Sequence, residues 1–515
     1  MLYRNPVHRG FFPDPSVIRV GEDYYMVNSS FQYFPCIPIS HSRDLIHWEI
    51  IGHAIAEPEY LDLSEIKDSH GIWAPDIFYY NDEFYVTATM RLNDREDNTG
   101  YAARQQLIMK SKKPGGPYSK PVWLDANSID PSLFVDDDGR KYMVTAKAVT
   151  VRELSDDFSE IISPPRVAWA GTGERCSEGP HIMKKDGYYY AIVAEGGTGY
   201  GHGINVARSR ELFGEYEECP YNPVMRQTDP NALIQRAGHG KLVEDTNGDW
   251  WAFYLCGRRN GGNYTTLGRE TALDPVVWTD DGWFLINEGK GPSETQTAPA
   301  LPPCGERCNK FFDEFDTDKL NLEWEFVRNP DYDNLSLNKE RPCNLRIWTG
   351  DKNLDELGSK NTLLHREKEF CFTAETRLEF EPLEGTRAGL TCYYSTATYI
   401  RYNVTRRGGV KLAELVINRN NGEELIAVTE IAENTPIYLR VKTDGQNREF
   451  LVSTDNENYT VTGAVEPCTF LCDEGVPEDR KRHTGTLTGV FANNGGTGAK
   501  IPADFDWFLI EFRDI

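Results

Sequence analysis

Nowhere in its 515 residues does this chain hold an apolar run long enough to cross a bilayer as a helix, which takes about 20 residues. That excludes a helical membrane span. Basic residues are the next shortage: 55 Lys and Arg face 80 Asp and Glu, a formal net charge of −25. This argues against nucleic acid and anionic membrane as partners, because both require a basic face. The opening MLYRNPVHRGFFPDPS lacks the apolar core of a signal peptide and passes directly into a strand pattern, so a cytoplasmic protein is expected. GGTG at 196–199 is not followed by Lys-Ser/Thr and leaves a strand without starting a helix, which excludes a phosphate loop. The cysteines, eleven and therefore odd in number, read as reduced thiols. Cys304/Cys308 and Cys468/Cys472 share a C-x3-C spacing but have no accompanying histidine, so zinc is not expected.

What the chain has in quantity is short aromatic strands. Aromatics make up 12% and there are 44 glycines. Five copies of one pattern, an apolar strand, a Gly/Asp/Asn turn and an aromatic strand, lead off at Asp14 (DPSVIRVGEDYYMVNSS), Asp76 (in PDIFYYNDEFYVTATM), Asp130 (DPSLFVDDDGRKYMVTAK), Glu178 (EGPHIMKKDGYYYAIVAE) and His239 (in GHGKLVEDTNGDWWAFYL). The lead residues are 62, 54, 48 and 61 apart, room for one four-stranded blade per copy, so residues 1–290 are expected to form a five-bladed β-propeller. Residues 291–309, rich in Pro and Gly, read as an interdomain connection. From 310 to 515 the period is lost and alternating strands suggest a two-sheet β-sandwich in an all-β protein. In DFDWFLIEF, Phe505, Trp507 and Leu509 alternate with Phe508, Ile510 and Phe512; both faces are apolar, so a central strand is expected.

In a propeller the innermost strands line one channel, so equivalent residues converge at its end. Four of the five lead residues are acids and one is His. Like charges gathered on an axis repel and lose hydration, a cost that is useful where a raised pKa is used. Asp14 is held between two prolines and Asp130 sits in a second Asp-Pro pair. Cleaving a glycosidic bond needs a protonated carboxyl group for the leaving oxygen and a carboxylate for water or carbon, and a third acid can raise the donor's pKa. Asp14, Asp130 and Glu178 can fill these roles. Asp76 is expected to make a salt bridge or hydrogen bond instead.

The segments NPVHRGFFPDPSVIRVGEDYYMVNSSF, GIWAPDIFYY, SIDPSLFVDDDG, CSEGPHIMKKDGYYYAIVAEGGTGYGH, IQRAGHGKLVEDTNGDWWAFYLCGR and LGRETALDPVVWTDDGW resemble glycoside hydrolase family 43, in the branch of β-xylosidases and α-L-arabinofuranosidases with a concanavalin-like sandwich. FFDEFDTDKLNLEWEFVRNP and ADFDWF extend the resemblance to the whole chain. It implies an inverting exo-acting hydrolase that releases xylose from β-1,4-xylooligosaccharides or arabinose from arabinofuranosides, with Asp14 as base, Glu178 as acid and Asp130 as pKa modulator. It further implies Phe31, Trp73, Thr198 and Arg269 in the sugar pocket, a sandwich residue, Phe505 or Phe491, over its mouth, and a dimer or tetramer. No cofactor is required, although His239 resembles a family histidine that in some members helps hold a structural calcium. Cys36 stands where the family pattern more often has Gly, which implies an altered loop. Two alternatives remain open. A non-catalytic sugar-binding propeller would have no use for three acids. A retaining fructan-cleaving propeller would carry Arg-Asp-Pro and Glu-Cys, where this chain has Ile129-Asp130-Pro131 and Glu178-Gly179.

Overall fold

The computed structural model describes residues 1–93, 104–420 and 422–513, and its regular structure is almost entirely β-strand. Five antiparallel sheets follow one another up to Ile286, each built from one contiguous stretch. Their innermost strands, Ser16–Val20, Gly71–Tyr80, Ser132–Val135, Glu178–Lys185 and Ile234–Glu244, pack each on the next, and the fifth returns to the first. The local reason is turn chemistry. Asn81 and Asp82 (φ 49° and 59°), like Asp186 and Gly187 (φ 50° and 74°), are two-residue left-handed turns between paired strands. Their twist matches that of a hairpin.

Since every blade is contiguous, no strand is exchanged to close the ring. Closure comes from the amino terminus. The Asn5 amide donates to the Leu273 carbonyl at 2.7 Å and accepts from its N–H at 2.9 Å, and Leu2–Arg4 pairs antiparallel with Thr295–Thr297. The stretch read as a connection therefore begins as a strand bound to the amino terminus.

The second domain is a sandwich of two eight-stranded sheets. Pro502–Arg513 lies inside one of them, flanked by Leu345–Trp348, Lys310–Asp313 and Cys371–Glu379. A bulge corrects the sequence reading of this strand. Arg377 faces Trp507 but Leu378 faces Phe505, leaving Asp506 as an extra residue. One extra residue reverses the alternation. Phe505 thereby joins Phe508 and Ile510 in the core, fully buried, and cannot cover the propeller mouth.

Propeller and sandwich share a strand and a core. Tyr33–Phe34 of the first blade pairs with Phe326 and Val327 at the end of the other sandwich sheet. One apolar cluster runs from Ile37, Ile72 and Leu107 to Phe326, Leu363 and Phe505. Cys36 is buried in it and pairs with Ile55, so the thiol acts as a small apolar filler. The polar part of the junction is made of buried arginines. Arg328 donates from Nε to the Ile66 carbonyl at 2.7 Å and pairs with Asp68 at 3.0 Å, and the other Asp68 oxygen accepts the Thr396 N–H and hydroxyl. Arg366 pairs with Glu325 and donates to the Phe11 carbonyl.

Removing one member of a buried ion pair costs about 3–5 kcal/mol because the other is left uncompensated. Arg328→Ala is expected to lower the thermal midpoint markedly, with Asp68→Asn added to it recovering part of the loss, both read by thermal unfolding.

Candidate active site

Around the channel mouth one backbone irregularity recurs. Asp14, Asp130, Gly179 and His239 all have left-handed φ, between 48° and 55°, and the inner strands that carry Glu178 and His239 are bulged there. Strained residues of this kind persist where the surrounding structure fixes them. The Phe12 N–H donates to the Arg269 carbonyl and the Asn28 amide to the Phe12 and Pro13 carbonyls, which holds the segment before Asp14. The Asp130 N–H donates to the Thr89 hydroxyl, itself held by Gln106. The loop before Glu178 is anchored by the buried Glu195, which accepts the Thr172 N–H and hydroxyl.

The second blade departs from the sequence reading. Its inner strand slips in register between Trp73 and Asp76, as the fourth slips between Glu178 and His181. WAPD thus matches EGPH residue for residue, and Trp73, not Asp76, corresponds to Glu178. Asp76 lies one tier deeper, bonded to Ser16 (2.6 Å), Lys241 (2.5 Å) and the Leu133 N–H (3.0 Å). The ring at the mouth has three acids.

Those acids are brought together in different states. Asp14, buried, pairs with Arg269 (2.8 Å) and accepts the Ser29 hydroxyl (2.6 Å), with His239 at 3.8 Å. Burial pushes its pKa up, but Arg269, His239 and Ser29 outweigh it and hold Asp14 below its ordinary value. Glu178 shows the opposite balance. Burial first, then the charges of Asp130 and Asp14, raise it to about 8. Asp130 accepts the Gly179 N–H at 2.9 Å and is raised by burial against the pull of His239 and that N–H. Gly179 has no room for a side chain, since a Cβ would lie 2.9 Å from the His239 ring. Asp14 and Asp130 are buried, whereas Glu178 is partly exposed and so is the outermost acid.

Phe31 has left-handed φ and lies 6.4 Å from Trp73, with the Arg269 guanidinium 5.5 Å from its ring. Trp73 also carries the Arg91 and Arg104 guanidiniums, at 5.8 and 5.7 Å. Thr198 sits in the turn after the strand that pairs with Glu178, where Gly196 accepts from and donates to Arg175. Phe491 is buried in the cluster behind Phe31. What the sandwich brings to the mouth is the 472–486 loop, whose His483 carbonyl accepts from Arg269 Nε at 3.2 Å. Sequence reasoning missed His483, Ser29 and His202, a histidine that burial lowers to about 3 and whose ring adds to the field on Asp14. Neither histidine belongs to the repeated pattern, and Ser29, at the end of the first copy, has nothing in its residue type to mark it.

The surroundings of His239 offer few protein oxygens for direct coordination of calcium. Calcium takes six to eight oxygens, but the adjacent Asp14 carboxylate is engaged by Arg269 and Ser29, and the next tier holds the Lys241 ammonium. Among the described residues no group of three His, Cys, Asp or Glu is set to hold a metal. A cavity of about 630 Å³ lies elsewhere, between the first blade, residues 304–309 and the sandwich, lined by His8, Trp48 and Phe512 among others.

Comparison with known proteins gives two family matches, "Glycosyl hydrolases family 43" over residues 3–284 and "Beta xylosidase C-terminal Concanavalin A-like domain" over residues 312–511. A family 43 protein of Bacillus licheniformis superposes with TM-score 0.96 at 54% identity, covering 100% of both chains. A xylan 1,3-beta-xylosidase of a Vibrio species is 35% identical over 98% of each chain. A non-reducing end alpha-L-arabinofuranosidase of Bacteroides ovatus is 33% identical over 99% of this chain and 94% of its own.

The Glu178 proton has a consequence for stability. Unfolded, this carboxyl ionises near its ordinary 4.5; folded, it holds its proton to about 8, so the folded state binds more protons between those values and loses stability as pH rises through them. Glu178→Gln is expected to raise the unfolding temperature at pH 8, by roughly 1 °C for each kcal/mol relieved in a chain of this length, and to leave it unchanged below pH 4.5, as followed by calorimetry.

Proposed function

Because this chain belongs to glycosyl hydrolase family 43, we propose that it removes a terminal pentose from short oligosaccharides by inversion, with xylose from β-linked xylooligosaccharides as the leading substrate. The observation that carries this reading is the split in protonation at the mouth. Asp14 is set to stay ionised and Glu178 to stay protonated at neutral pH, the pair that general base and general acid catalysis require.

In this mechanism the Asp14 carboxylate, fixed by Arg269 and Ser29, takes a proton from a water as that water attacks the anomeric carbon. Glu178 gives its proton to the departing glycosidic oxygen. Its outer position suits a leaving group that extends toward solvent. Asp130 supplies the negative charge that keeps the Glu178 proton in place, and its bond to the Gly179 N–H fixes the backbone beside the donor. Phe31 and Trp73 offer apolar faces to a pentose ring. The 472–486 loop beside the mouth supports exo action, since the sandwich narrows the approach of a long chain. Eleven unpaired cysteines suit a reducing compartment such as the cytoplasm, where short imported oligosaccharides would be met. Arabinofuranoside hydrolysis is the second reading, favoured by the name of the Bacteroides relative.

Aryl β-xylosides, aryl α-L-arabinofuranosides and 1,3- and 1,4-linked xylobiose, with the product anomer followed by proton NMR, test both readings. Inversion is expected, and a retained anomer excludes the mechanism. Asp14→Asn and Glu178→Gln are expected to lower kcat/KM on xylobiose by about 10²–10⁴. Glu178→Gln should lose much less on an aryl glycoside whose leaving group needs no proton.

A further inference from the structure

The base of the propeller is held from the sandwich. Arg269, the partner of Asp14, sits after Gly268, where a Cβ would lie 2.6 Å from the Gly485 backbone, so the two loops touch directly. Arg269 points one guanidinium nitrogen at Asp14 and Nε at the His483 carbonyl. His483 itself has left-handed φ, 58°, a conformation that a non-glycine residue keeps only when its neighbours fix it. What fixes it is Asp473. One oxygen of this buried carboxylate accepts the N–H groups of Arg482 (3.1 Å) and His483 (2.9 Å) and the Tyr394 hydroxyl (2.5 Å). The charged and titratable groups facing Asp473 are Arg236 (3.4 Å), the His483 ring (3.5 Å), Tyr394 and the neighbouring Glu474 and Cys472. Arg236 is also paired with Glu474, so it keeps an anionic partner when Asp473 is changed.

We propose that Asp473 is a positioning residue for the hydrolytic reaction: it fixes the His483 carbonyl, which aims Arg269 at the base Asp14. The inference rests on the assignment of Asp14 as base. Around Asp14 stand Arg269, His239, His202, Asp130 and Glu178, and Arg269 is the one tied to the sandwich by this bond. A released Arg269 holds the Asp14 charge less well, so the acid limb of the pH profile moves upward while the basic limb, set by Glu178, stays in place.

The test is the pH dependence of kcat/KM for Asp473→Ala and Asp473→Asn in the full-length protein. Asp473→Ala is expected to lose roughly 10- to 100-fold with a raised acid limb. Asp473→Asn, whose amide oxygen still accepts both N–H groups, should recover most of the loss. In an Arg269→Ala background Asp473→Ala should change the rate by no more than about twofold, because coupled sites are not additive. If Asp473→Ala does not fold, Tyr394→Phe decides, with a smaller shift of the acid limb in the same direction. An unmoved acid limb, or full additivity with Arg269→Ala, overturns the proposal. If Asp14→Asn also retains activity, it is the assignment of the base that has failed; if Asp14→Asn is inactive, the failure belongs to Asp473 alone.

Discussion

Three carboxyl groups meet where the channel of a propeller excludes most water, with one arginine paired directly to one of them. That constraint sets the chemistry. Two neighbouring anions out of water disfavour each other, so the proton goes where compensation is weakest. Asp14 has Arg269, Ser29 and nearby imidazoles and stays charged; Glu178 has burial and two adjacent acids and keeps its proton. In the proposed mechanism a carboxyl group thus serves as base in one blade and as acid in another, and the scaffold decides which. Left-handed backbone at Asp14, Asp130 and His239 is the local cost of turning these groups toward the axis.

The sandwich is part of this arrangement. It gives an end of one sheet to Tyr33–Phe34, extends the first blade's core and encloses a set of buried arginines at the junction. Two domains with separate folds thereby act as one support. A loop of the second domain touches the arginine that pairs with Asp14.

Much of this was legible in the sequence, and the failures have physical causes. The five copies were readable because each hairpin carries its own turn residues, such as Asp186-Gly187, and the three acids because each stands at the head of its copy, before a Pro or Gly. Asp76 was misaligned since the register slips in WAPD and EGPH displace the chain, and an unaligned reading counts the strand's first acid as its lead. Phe505, offered through family resemblance as a cover for the mouth, lies in the sandwich core, and the bulge at Asp506 that sets its face has no composition signal. Tyr33–Phe34 is too short to show a period, and the bonds from Asp473 to His483 and from His483 to Arg269 depend on loop conformation and long-range contact. Arg269, Phe31 and Trp73 were singled out through family resemblance, not through any local pattern.

The central claim is that confinement beside Asp130 and Asp14 keeps the Glu178 carboxyl protonated at neutral pH. Infrared titration of the wild-type protein minus Glu178→Gln observes that group directly. A protonated carboxyl band that persists through pH 7 and fades with a midpoint near 8 is the predicted result. A band lost near pH 4.5, the ordinary glutamate value, would contradict the account.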